Sequence, residues 1–165
     1  MSTVTPDLDQ LAEQVQYLTD RTAISDLLYS FARCIDTKDW KGYANNFTED
    51  GVVEIPVKLP DGSWVKHVGR EGLAEFIEGS KDRPGLGQFV VTHHLSSNHQ
   101  VTIDGDTATT TSYAQCIHRF NDDLAKIWEL GGWYTCEMRK TDDGWKFTHV
   151  HLDKVWEHGK PDYHG

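Results

Sequence analysis

Positive charge is scarce in this sequence. Its 165 residues carry 16 Lys and Arg against 26 Asp and Glu, a formal net charge of -10. Nowhere do basic residues form a run. Nucleic acid and anionic membrane surfaces are therefore not expected as partners, since both require clustered Lys and Arg. Long apolar runs are missing too, and no stretch could span a bilayer. Residues 1–14 have neither a basic nor an apolar region, so they do not read as a signal peptide. The three cysteines, Cys34, Cys116 and Cys136, are odd in number and lack metal-type spacing. They read as reduced thiols in a cytoplasmic protein. There is no glycine-rich phosphate loop, Gly-x-Ser-x-Gly elbow, Cys-x-x-Cys pair or His-Glu-x-x-His helix. Neither a nucleotide cofactor nor serine-hydrolase chemistry has support, and no metal site is expected.

What is present suits one globular unit over residues 1–165. Apolar residues make up 38%, with six each of Trp, Tyr and Phe, enough for a core and for the lining of a cavity. Residues 8–38 read as helix, with Leu11, Val15 and Leu18 opening an apolar stripe. A break is expected near Thr19 to Arg21, after which Ile24, Leu27, Leu28, Phe31 and Ile35 continue the face. Further short helices are expected at 39–47 and 71–81. Residues 52–56 and 64–68 flank Pro60-Asp61-Gly62 as a hairpin. Four longer strands follow at about 89–104, 107–121, 126–140 and 144–156, with turns at Gly105, Asn121-Asp122-Asp123 and Gly144. Helices first and antiparallel strands afterwards imply an α+β fold with the helices on one face of a curved sheet.

Three places invite chemistry. Asp36 falls on the flank of the helical stripe, at a helix C-terminus where the macrodipole disfavours a carboxylate. If enclosed, its pKa would rise; alternatively, Asp36 or Thr37 caps the helix that begins near Asp39. Thr92-His93-His94-Leu95-Ser96-Ser97-Asn98-His99 puts three histidines within seven residues. Strict alternation groups His93 with Val91, Leu95, Val101 and Ile103, whereas a bulge near Ser96-Ser97 would turn His94 inward. Periodicity leaves both open. His118 shares parity with Ala114, Cys116 and Phe120, as a satisfied buried histidine would. His149 and His151 form a further pair on one strand face.

The run from Leu18 to Trp40, the segment Phe47-Thr-Glu-Asp-Gly-Val-Val-Glu54 and the closing Asp143-Gly-Trp-Lys-Phe147 resemble SnoaL-like proteins of the nuclear transport factor 2-like superfamily. That resemblance implies a cone-shaped, curved mixed sheet with N-terminal helices (about 8–47) on its concave face and a strand-rich half (about 89–156). In site pattern it is closest to scytalone dehydratase, bile acid 7α-dehydratase and hexachlorocyclohexane dehydrochlorinase. These share an aspartate at the end of the first helix and a histidine on a central strand, matched here by Asp36 and His94. His118 falls near the second histidine of scytalone dehydratase. The bile acid dehydratase tyrosine is replaced by Phe31, with Tyr29 nearby; Ile55 stands where ketosteroid isomerase carries its base. The resemblance implies a cofactor-independent elimination from a small, largely apolar hydroxylated cyclic substrate. His94 would be the base, Asp36 its partner, and His118 or Tyr113 the proton donor. Phe31, Tyr29, Trp64, Tyr113, Trp128, Trp133 and Tyr134 are the expected pocket lining. An isomerase or polyketide cyclase using the same dyad, or a binding and assembly module, are the alternatives. The apolar sheet surface and the family imply a homo-oligomer, a trimer ahead of a dimer.

Overall fold

A computed structural model describes residues 7–120 and 126–159; the expected Asn121-Asp122-Asp123 turn lies outside them. Helix α1 (Leu8–Asp36) and helix α2 (Trp40–Asn45) precede strands β1 (Phe47–Lys58) and β2 (Trp64–Val68). Helix α3 (Leu73–Glu78) and a 3-10 turn at Leu86–Gln88 then lead to β3 (Val91–Asp104), β4 (Thr107–Arg119), β5 (Ile127–Thr141) and β6 (Gly144–His158). The six strands form one curved sheet in the order β2-β1-β6-β5-β4-β3. β1 runs parallel to β6, and every other pairing is antiparallel. The expected Pro60-Asp61-Gly62 hairpin does join β1 to β2, with Gly62 in the positive-φ conformation that such a turn requires (φ 84°).

The helix break expected at Thr19 to Arg21 is absent, and α1 runs unbroken over 29 residues. No Gly or Pro interrupts it. The Thr19 and Thr22 hydroxyls donate back to the Val15 and Leu18 carbonyls at 2.8 Å, which keeps these polar side chains inside the helical pattern. At the supposed break, Asp20 turns into the core. It accepts from Trp145 Nε1 and Lys140 Nζ, each at 2.8 Å, and from Gln16 Nε2 at 2.9 Å. The buried face of α1 starts there and continues through Ile24, Leu27, Leu28, Phe31, Ala32 and Ile35. Leu11, Val15 and Leu18, expected to begin the stripe, are exposed.

Every inner position of β4 is buried: Ala108, Thr110, Ser112, Ala114, Cys116 and His118. Strand β3 follows the same alternation only up to Ser97. The β3–β4 register then slips between Ser97 and Gln100, with Asn98 in the left-handed region (φ 55°). This bulge turns Thr92, His94 and Ser96 inward on one side of it, and His99, Val101 and Ile103 inward on the other. A second slip, in β6 after Phe147, leaves Val150 and Leu152 facing the core and His149 and His151 facing outward.

Candidate active site

Helix α1 ends by delivering Asp36 to the inner face of β3. Beyond it the chain reverses through Lys38, a non-glycine residue with φ of 60°. Asp36 does not cap α2; Asp39 does, accepting from the Gly42 amide at 2.8 Å. Each Asp36 oxygen instead meets His94. Oδ2 accepts from the His94 backbone N–H at 2.9 Å, and Oδ1 lies 2.7 Å from His94 Nδ1. A carboxylate can only accept, so the ring carries a proton on Nδ1 and turns Nε2 inward.

Burial works to raise the Asp36 pKa, but the hydrogen bonds from His94 outweigh it, and the carboxyl titrates below its ordinary value. The rise expected for an enclosed Asp36 is thus reversed by its partner. His94 responds in kind. Burial opposes its charge, yet the Cys116 sulfur and the Asp36 carboxylate prevail and push its pKa up to about 9. His118 goes the other way: burial, then the neighbouring His94 charge, pull it down to about 3. Its Nδ1 lies 3.2 Å from the Trp128 carbonyl, so a neutral His118 donates there and presents Nε2 as an acceptor. Its ring stacks on Trp128 (centroids 4.5 Å, 27°) and meets His94 edge-on at 5.1 Å.

Both histidines line a cavity of about 360 Å³, large enough for a small organic molecule. Phe31, Trp128 and Tyr134 belong to its wall as expected, joined by Tyr43, Leu130 and Leu152. Exposed Arg83 and Glu157 contribute charge to its rim. The other aromatic side chains lie elsewhere. Tyr29 is exposed and rests on His99 at 4.9 Å. Trp64 packs against His151 at 5.0 Å on the outer face. Tyr113 is 61% exposed and, with Trp133, shares a shallow outer hollow with Leu95 and Trp156. Strand alternation sends Tyr113 and Trp133 away from the cavity, so Tyr113 is not placed to protonate a departing group inside it. A His118 held down to about 3 carries only one ring proton at neutral pH, and its Nδ1 faces the Trp128 carbonyl.

The spacing of Cys116 points only to a reduced thiol, yet its side chain lines this cavity with His94 and His118. It is directly opposite His94 in the β3–β4 pairing, and its Sγ lies 3.6 Å from the Tyr134 hydroxyl. Its parity with His118 was visible in the sequence, but its partner depended on the bulged register of β3. Among the described residues, no three His, Cys, Asp or Glu converge as a metal ion would require.

A model of the SnoaL-like domain matches residues 16–151. The chain belongs to the SnoaL-like family. Solved structures place this SnoaL-like chain among several named relatives. A candidate aromatic ring hydroxylase of Novosphingobium aromaticivorans is 28% identical, covers 87% of this chain and 94% of its own, and superposes with a TM-score of 0.72. A candidate scytalone dehydratase of the same organism is 22% identical, with coverage of 90% and 93% and a TM-score of 0.75. A hexachlorocyclohexane dehydrochlorinase of type 2 is 18% identical, with coverage of 92% and 96% and a TM-score of 0.72. The last two establish the shared cone of helices and sheet. No helix among the described residues of this SnoaL-like chain is long and apolar enough to cross a membrane.

Proposed function

We propose that this protein is a cofactor-independent lyase that removes water from a small, largely apolar hydroxylated cyclic substrate. Asp36 and His94 would form its proton-transfer pair. One observation supports this above the rest: Asp36 grips both the backbone N–H and the Nδ1 of His94. That grip fixes the tautomer and aims Nε2 into a cavity walled by Phe31, Leu130 and Tyr134. His94 Nε2 takes a proton from carbon next to a carbonyl, Asp36 stabilises the imidazolium that forms, and that imidazolium returns the proton to the departing hydroxyl, which leaves as water. His118 Nε2, a lone pair at neutral pH, accepts a hydrogen bond from a substrate hydroxyl. The names of the dehydratase and dehydrochlorinase neighbours agree with elimination chemistry.

The same partnership that makes imidazolium stable makes the free base scarce. With a pKa of about 9, roughly one His94 in a hundred is neutral at pH 7. Turnover is therefore expected to rise about tenfold per pH unit from pH 6 and to level near pH 9. A screen of hydroxylated cyclic ketones and phenols by mass spectrometry tests the reading. Loss of water that falls about 10²- to 10⁴-fold in Asp36→Asn and His94→Gln supports it. Products of unchanged mass would assign the pair to isomerisation or cyclisation. Binding without turnover in any substrate would make the protein a binding module.

A further inference from the structure

The His94 ring, whose Nε2 would serve as base, interacts with an acid of the protein's own, the Cys116 thiol. With Nδ1 held by Asp36, Nε2 is the ring nitrogen left to meet Cys116, the residue opposite His94 across the β3–β4 pair. Both side chains line the same cavity. Cys116 Sγ also stands 3.6 Å from the Tyr134 hydroxyl; burial raises the Tyr134 pKa well above its ordinary value, so this hydroxyl keeps its proton and can donate to sulfur. The sequence of contacts is carboxylate, imidazole, thiol and phenol donor, on β3, β4 and β5 at the end of α1. Asp36 and His94 supply what a buried thiol needs to act as a nucleophile, a base whose cation is itself stabilised. The other two cysteines have nothing comparable. Burial pushes Cys136 up to about 12, and Cys34 lies 3.9 Å from the Ser30 hydroxyl.

We propose that Cys116 is a nucleophile activated by the Asp36–His94 pair, and that it captures α,β-unsaturated carbonyl compounds in the cavity as thioether adducts. In the neutral fraction of His94 the thiol proton passes to Nε2, and sulfur bonds to the β-carbon of the alkene. The π electrons move toward the carbonyl, and the His94 imidazolium returns the proton to the α-carbon. One S–H bond and one C=C π bond are replaced by one C–S and one C–H bond, with no change in net charge and no co-reactant. Conjugate addition suits this wall better than acyl transfer does. Cys116 lies within a strand paired on both sides, to His94 and to Leu130, so the local amides are engaged in the ladder and offer no free pair for a tetrahedral oxyanion. A soft thiolate in an apolar cavity needs only the proton that His94 carries.

The capture does not depend on the proposed elimination, because the unsaturated ketone is supplied ready-made. The full chain is incubated with 2-cyclohexen-1-one and followed by intact mass, with peptide mapping of the product. The expected result is one added enone per chain, carried by the Cys116 peptide. Its rate of formation should fall about 10²-fold in His94→Gln and stay unchanged in Cys34→Ser. Mapping on the unaltered chain keeps the test valid even if Cys116→Ser fails to fold. An adduct on Cys34 or Cys136 alone, no adduct, or a rate indifferent to His94→Gln would overturn the proposal. A chain that eliminates water but leaves Cys116 unmodified sinks this inference alone; one that captures the enone but never eliminates sinks only the lyase reading.

Discussion

Asp36 commits both carboxylate oxygens to His94, and this one choice sets the properties of both residues. Replacing it with Ala would leave a buried amide and a buried ring nitrogen without their acceptor, at a cost of about 2–3 kcal/mol in urea unfolding. The pairing also predicts a pH dependence of stability. The His94 pKa is raised from 6.5 to about 9, so its stabilising contribution is complete below pH 6.5 and is lost as pH rises through 9. That contribution is roughly 3 kcal/mol at most. Thermal melts between pH 6.5 and 9.5 should show a falling Tm in the parent chain and a flatter profile in His94→Gln. Of these residues, Asp36 and His94 could be singled out from type and resemblance. The direction of the Asp36 shift could not, because it depends chiefly on two hydrogen bonds from a partner 58 residues away.

At the scale of elements, the bulge in β3 decides which histidine faces the cavity. Alternation along Val91, His93, Leu95, Val101 and Ile103 suggested one continuous apolar face, and it was legible only as a pair of alternatives. The structure breaks that face at Asn98, so Val91 and Leu95 point outward while Val101 and Ile103 point inward. Asn tolerates the left-handed backbone that this break requires, and Gly tolerates it better; a β-branched side chain does not. Asn98→Gly should stay within about 0.5 kcal/mol of the parent, whereas Asn98→Val should lose about 1–2 kcal/mol in denaturant unfolding. Helix α1 teaches a related point. Two threonines and a charged pair around position 20 look like a helix break, but they are held by back-bonded hydroxyls and by Trp145 and Lys140 of the sheet. Those partners lie more than a hundred residues away in sequence, beyond the reach of a local pattern. Asp20→Ala should cost about 2–4 kcal/mol, read by the same unfolding experiment, since it leaves the buried Trp145 N–H unpaired.

Across the whole molecule, the α+β class, the order of elements and nearly all the strands could be read from turn chemistry and periodicity. The direction of the aromatic side chains could not. Phe31, Trp128 and Tyr134 face the cavity, while Trp64, Tyr113 and Trp133 stand on the opposite face of the sheet. A single residue of register exchanges the two faces. That outer face exposes Leu95, Tyr113, Trp133, Val155 and Trp156 together, with Trp156 lying over Gly131, where any side chain would collide with its ring. An apolar patch of this kind favours association. Light scattering should give a mass that is a multiple of the 18.8 kDa chain, and Trp133→Glu should lower it; a monomer in the parent chain would remove the expected homo-oligomer.

The pairing of Asp36 with His94 is tested most directly by histidine NMR on ¹⁵N-labelled protein, following the His94 ring nitrogens across pH. A working pair predicts a proton fixed on Nδ1, titration of Nε2 near pH 9, and a fall in that pKa in Asp36→Asn. A His94 that titrates near 6.5, and does so equally in Asp36→Asn, would contradict it.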